Sequence, residues 1–191
     1  MLLERQVPVI ENFSNSIILN WTRILEKHDI NADLQKSNPN YKSGIEWQVN
    51  CQRCVPTYEM RRRGYNVTAL PANRYSSNYL SYYPFNVWEN AKVKNCSGTG
   101  YEQIKDKMRE WGDGSRAQIV VNWNNTNSGH TFIAEQVFGK TKFIDPQTGE
   151  NDVSYYFDSV ADGKTRFCRI DNTEVSSRIV DCCEEVKNDK F

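Results

Sequence analysis

Between Glu11 and Lys27 the apolar residues Ile17, Ile18, Trp21, Ile24 and Leu25 recur at the three-to-four-residue spacing of an amphipathic helix. His28 follows that helix, where a protonated imidazole complements the helix dipole. Asn31 to Gly44 is polar and broken by Asn-Pro and Gly, the composition of a connector. Cys54 to Arg63 reads as a helix closed by Gly64 in a left-handed cap. Pro56 is compatible only with the early part of that helix, so the helix is predicted to begin a few residues before it. Asn73 to Pro84, rich in Tyr, Ser and Asn, reads as an aromatic-bearing loop. Tyr101 to Trp111 is helical, with Ile104, Met108 and Trp111 on one face, and Gly112-Asp113-Gly114 ends it. Three apolar runs follow, Ala117 to Trp123, Thr131 to Phe138 and Thr141 to Ile144. A Gly139-Lys140 turn separates the last two, as expected of neighbouring antiparallel strands. Thr165 to Ile170 reads as a further strand and Thr173 to Val186 as a closing helix. A helical first half followed by a sheet is an α+β pattern.

Composition narrows the function. The 191 residues carry 24 basic and 24 acidic side chains, so no net basic field draws the chain to nucleic acid. The Arg61-Arg62-Arg63 run sits at a helix end, where cations are locally favoured. No apolar run approaches a membrane span, and Met1 to Glu11 lacks a signal-peptide pattern. The expectation is a soluble protein in the cytoplasm of a producing or target cell, reached there through a dedicated secretion system or phage association. The six cysteines are too sparse for a disulfide scaffold, and a reducing compartment is expected.

The chemistry-bearing residues fall in three segments. In Asn50-Cys51-Gln52-Arg53-Cys54, a thiol at a helix start is electrostatically suited to nucleophilic attack. Two cysteines in a C-x-x-C spacing also fit half a zinc site, a redox pair or two buried small residues. Zinc lacks a well-spaced second pair, since Cys182 and Cys183 are adjacent. His130, in Ser128-Gly129-His130-Thr131, opens a strand behind small residues that permit close approach, and is the candidate base. Asp145, in Phe143-Ile144-Asp145-Pro146-Gln147, is the candidate orienter of that base. With Gly139-Lys140 as the turn, Asp145 pairs with Ala134 and shares a face with His130. The two are then four residues out of step, about 13 Å along the strand. Gln147, opposite Phe132 in that register, is the alternative orienter.

Together these segments carry a resemblance. Asn50-Cys51-Gln52-Arg53-Cys54-Val55-Pro56-Thr57-Tyr58-Glu59 with Arg62-Arg63-Gly64-Tyr65-Asn66-Val67-Thr68-Ala69, then Gly129-His130-Thr131-Phe132, then Phe143-Ile144-Asp145-Pro146-Gln147-Thr148-Gly149, resemble the papain-fold toxin, or protein-glutamine deamidase, family. The likeness runs from about Trp47 to Asp171. It implies a papain-like fold and leaves the first and last predicted helices uncovered; the chain itself reads as one domain, 1–191, with 1–44 as a helical extension. The nucleophile helix is expected to pack on an antiparallel sheet. It implies a cysteine hydrolase needing no cofactor or metal, with Cys51, His130 and Asp145 as catalytic residues and Cys54 as the alternative nucleophile. Asn50 resembles the nucleophile motif of related cell-wall peptidases, favouring Cys51. Gln48, six residues before Cys54, resembles the papain oxyanion glutamine. Asn50, Gln48 and Gln147 are the oxyanion or orienting candidates. The family occurs among bacterial polymorphic toxins, secreted effectors and phage-encoded proteins. The implied partners are a protein substrate carrying a target glutamine and an immunity or carrier protein. A papain-like peptidase, a transglutaminase in which an amine rather than water resolves the thioester, and a non-catalytic phage-associated module are the alternative readings.

Overall fold

In the computed structural model, residues 21–23, 29–72 and 79–186 are described. The predicted helix between Glu11 and Lys27, with His28, falls largely outside them. Of that stretch Arg23 forms an antiparallel bridge with Tyr65, which is strand-like rather than helical pairing. The element order is α1 (Ile30–Ser37), α2 (Cys51–Arg62), β1 (Val67–Ala69), α3 (Tyr79–Tyr82), β2 (Lys94–Asn95), α4 (Tyr101–Trp111), β3 (Arg116–Asn122), β4 (Gly129–Val137), β5 (Lys140–Ile144), β6 (Arg166–Arg169) and β7 (Cys183–Glu185). A five-stranded antiparallel sheet runs β2-β6-β3-β4-β5, and β1 pairs with β7 in a separate ribbon.

The sheet is apolar on both faces because two hydrophobic clusters use alternate residues of the same strands. Ile133 and Ile144 join Val55, Tyr58, Val67 and Cys183 on the α2 side. Phe132, Ala134 and Phe143 join Ile104, Met108 and Phe157 on the α4 side. This is the period-two alternation of strands covered by helix on both sides. Buried charges tie α2 to the sheet. Arg62 of α2 pairs with Asp33 of α1 at 3.1 Å and with Glu135 of β4 at 3.0 Å. The Tyr58 hydroxyl donates to Glu135 at 2.5 Å. Glu59 receives both Arg63 and Arg116. Breaking one partner of such a buried network costs about 3–5 kcal/mol, since the remaining charge is left uncompensated.

Three sequence expectations are corrected. The Asn31–Gly44 connector contains α1, which begins at the Asp29 N-cap, whose carboxylate accepts from the Ala32 amide. Asp33, within that polar stretch, is buried against arginines. The closing helix Thr173–Val186 is a 3₁₀ turn, Ser177–Asp181, followed by β7. Its helical spacing of Val175, Ile179 and Cys182 is real and all three are buried, but pairing with β1 takes the backbone. Helix α2 begins at Cys51, so Pro56 lies inside the helix and beyond its first turn. Pro56 cannot donate to the Gln52 carbonyl, and burial of Val55 and Tyr58 beside it holds the helix together.

The fourth correction moves the site. The β4–β5 turn is Phe138-Gly139, because Val137 pairs with Lys140. Both turn residues have positive φ, 48° and 73°, as a two-residue type I′ hairpin requires. The register therefore slides by two residues from the expected one. Ile144 pairs with Ile133, and Asp145, just past the strand, falls two residues from His130 on the same face.

Candidate active site

The start of β4 brings His130 to the N-terminus of α2. Gly129 makes this possible: a Cβ there would fall against the Val121 carbonyl oxygen of β3. The shifted register then closes the gap to the carboxylate. His130 Nε2 donates to Asp145 Oδ2 at 2.9 Å. The Cys51 thiol itself donates to Gln52 Oε1 at 3.6 Å. With Nε2 committed to Asp145, Nδ1 is the nitrogen left to face Cys51. Burial alone would lower the His130 basicity, but the hydrogen bond to Asp145, then the neighbouring Cys51, outweigh it and raise the imidazole to about 10.

Asp145 is completely buried. Its Oδ1 accepts from the Gln147 amide at 2.9 Å, and its Oδ2 accepts from the Tyr156 hydroxyl at 2.9 Å as well as from His130. Burial pushes the carboxyl up; the His130 hydrogen bond and charge, the Gln147 amide and the Tyr156 phenol together hold it below its ordinary value. Burial and the neighbouring Asp145 charge keep the Tyr156 phenol protonated, hence a donor. Trp123 stacks on the imidazole, centroids 6.0 Å apart and planes 21° apart, while Tyr156 meets it edge-on at 5.7 Å. These rings fix the orientation of the histidine and cover the His–Asp pair.

The two cysteines of the motif differ sharply. Cys51 is the first residue of α2 and is partly exposed. Cys54 is fully buried, with its thiol donating to Asn50 Oδ1 at 3.2 Å. Burial, and then the charges of Cys51 and Asp145, push the Cys54 thiol well above the usual range. A thiolate is therefore disfavoured at Cys54, whereas Cys51 stands partly exposed at the first position of α2.

The remaining candidates do not converge on the thiol. Gln48 is exposed and its amide donates to the Tyr41 carbonyl at 3.3 Å. Asn50 is buried, and its amide donates to the Leu70 carbonyl at 3.1 Å and Asn38 Oδ1 at 3.4 Å. Its oxygen receives Cys54, Asn38 and Gln147. Gln147 therefore braces Asp145 through its backbone and Asn50 through its side chain, with no hydrogen bond to His130 among the described residues. Because Asn50 faces this buried network, it does not cap α2. The Cys51 and Gln52 amides consequently have no hydrogen-bond partner among the described residues. Two free N–H groups beside a thiol suit a developing oxyanion. Among the described residues no group of His, Cys, Asp and Glu is arranged to hold a metal ion, and no helix is long and apolar enough to cross a membrane.

Sequence reading missed Tyr156 and Trp123. Tyr156 lies in the 3₁₀ turn Ser154–Ser159, which carries no periodic signal. Trp123 had only its place at a strand end, seven residues before the histidine.

A helix-borne cysteine meeting a strand-borne histidine and a buried carboxylate, with α2 packed on an antiparallel sheet, defines an α+β protein of the papain fold. Residues 49–150, just over half the chain, match the family described as papain fold toxin 1, glutamine deamidase; the chain belongs to that family. A search of curated proteins finds no match. Family membership implies hydrolase chemistry and a protein as the substrate.

Proposed function

We propose that the protein is a cysteine-dependent protein-glutamine deamidase acting as a bacterial or phage-encoded toxin or effector, with Cys51 as nucleophile, His130 as base and acid, and Asp145 as orienter. The observation that carries this reading is the His130 imidazole bonded to the buried Asp145 and electrostatically coupled to the partly exposed Cys51 at the start of α2. His130 takes the thiol proton, and Sγ attacks the side-chain carboxamide carbon of a protein glutamine. The Cys51 and Gln52 amides receive the oxyanion. The proton returns from His130 to the departing nitrogen, releasing ammonia and leaving a thioester. Water, deprotonated by His130, hydrolyses the thioester to glutamate and frees the thiol. Asp145 holds the imidazole in the tautomer this cycle needs. No step draws on a metal or cofactor. Conversion of a buried glutamine to glutamate adds a charge that an interface tolerates poorly. An immunity or carrier protein completes the proposed context.

The test is iodoacetamide labelling near neutral pH, mapped by mass spectrometry, on wild type and His130→Ala. Fast labelling of Cys51 that slows in the variant supports the reading. Labelling centred on Cys54, or a Cys51 rate indifferent to His130, overturns the assignment. Glutamine-to-glutamate conversion in a protein substrate then tests the reaction.

A further inference from the structure

A groove of about 620 Å³ has walls from the β3–β4 hairpin and the segment before β6. Trp123 is its link to the site, since the same indole lines the groove and stacks on His130. The other walls are polar. Asn122, Asn125 and Asn127 present carboxamides that have no side-chain hydrogen bond among the described residues. Lys164 is the one charged residue lining the groove and forms no ion pair among the described residues.

The hairpin that presents these groups is pinned. The Trp123 amide donates to the Ser128 carbonyl at 3.0 Å, and the Asn124 amide donates to the Ser159 carbonyl at 2.8 Å. The Ser128 amide donates to Thr126 Oγ1 at 3.2 Å. Asn125 holds a left-handed φ of 57°, a conformation asparagine accepts more readily than most residues. The free carboxamides are thus displayed on an ordered turn, which lowers the ordering cost of binding.

We propose that this groove is the substrate-docking subsite of the deamidase, binding the chain segment that flanks the target glutamine and selecting an acidic residue within it. This inference rests on the deamidase reading for the identity of its ligand. A carboxamide offers both a donor and an acceptor, the complement of a peptide unit, so the three asparagines read main chain rather than side-chain bulk. Lys164 supplies the charge preference. The indole is the apolar platform between groove and imidazole, so a segment lying along it delivers its neighbouring glutamine side chain towards Cys51.

The experiment uses the Cys51→Ser protein and two fluorescein-labelled glutamine peptides, identical except for aspartate or lysine beside the glutamine. Binding is read by fluorescence anisotropy at low salt. The aspartate peptide is expected to bind about threefold more tightly, the size of an exposed charge pair. Lys164→Glu is expected to reverse that order, and Asn122→Ala/Asn125→Ala/Asn127→Ala to weaken both peptides alike. Circular dichroism checks that these exposed substitutions leave the fold intact. Equal affinities, no binding of either peptide, or an order indifferent to Lys164 overturns the proposal. Turnover of the same peptides by wild type separates the two readings. Charge-selective binding without glutamate formation sinks the deamidase while the groove stands. Glutamate formation without charge preference sinks the groove alone.

Discussion

Replacing Asp145 with asparagine keeps the size of the side chain and removes its charge, and the geometry leaves the amide no good orientation. If the amide oxygen takes the Oδ2 position, it still accepts from His130 and Tyr156, but the NH₂ then faces the Gln147 amide, which donates at 2.9 Å to Oδ1. Two donors meet in a site with no solvent exposure, at a cost of about 1–3 kcal/mol. If the amide is turned over, its NH₂ faces His130 Nε2, which must become an acceptor. The ring proton then moves to Nδ1, on the side of Cys51, and the histidine can no longer take the thiol proton. Loss of a hydrogen bond to a charged group is worth about 1.5–3 kcal/mol, or about 10- to 100-fold in rate. The assay is the second-order rate of Cys51 alkylation by iodoacetamide near neutral pH. It is expected to fall by that factor in Asp145→Asn, while the buried Cys54, Cys96, Cys168, Cys182 and Cys183 stay protected. Labelling of all six cysteines would report unfolding, and a urea midpoint measured alongside identifies that case. A folded variant with an unchanged Cys51 rate refutes the argument that Asp145 sets the state of His130.

Two further outcomes are expected. Phe138→Asn should stabilise the protein by about 1 kcal/mol, read as a higher urea midpoint, because Phe138 is 92 % exposed and sits at a φ of 48° that asparagine adopts more cheaply. An unchanged or lower midpoint would mean that the phenyl ring makes a contact worth more than its backbone strain. The raised His130 imidazole should also make stability pH-dependent. Its contribution is complete below the ordinary value of 6.5 and is lost as pH rises through about 10, because the folded state binds the proton more tightly than the unfolded chain. Urea midpoints taken across that window in wild type and His130→Gln should converge towards the alkaline end; parallel profiles would contradict it.

Much of this architecture can be read along the chain, and the exceptions have physical causes. Helix α4 and strands β3 to β6 are periodic over enough residues to declare themselves. Helix α1 does not, because its buried face carries polar residues: Asp33, whose arginine partners lie in α2, and Ser37, whose hydroxyl donates back to the Asp33 carbonyl one turn earlier. Strand β7 exists through pairing with β1, a non-local contact with no local signature. The His130–Asp145 contact was misjudged for a subtler reason. Phenylalanine is an unusual first residue for a type I′ turn, so the glycine drew the turn one position too late. That small error converted a 2.9 Å hydrogen bond into a gap of about 13 Å. The identities of cysteine, histidine and aspartate were legible as a motif. The Asn50-Cys51 pair already favoured Cys51 over Cys54; the burial of Cys54, which the sequence does not display, adds a physical argument for the same choice.

The charge clamp on α2 has a consequence for when activity can arise during synthesis. Tyr58 and Glu135 are 77 residues apart, and Arg62 and Glu135 are 73 apart. Downstream of them, Tyr156 secures the carboxylate, and the Cys182 carbonyl receives the Leu70 amide as β7 closes against β1. A ribosome that has released Cys51, His130 and Asp145 has therefore not yet released every part that seats them. If the proposed reaction is this protein's, a product cut short before Cys183 carries its cysteine, histidine and aspartate without the strand that closes against β1, and is expected to be chemically quiet.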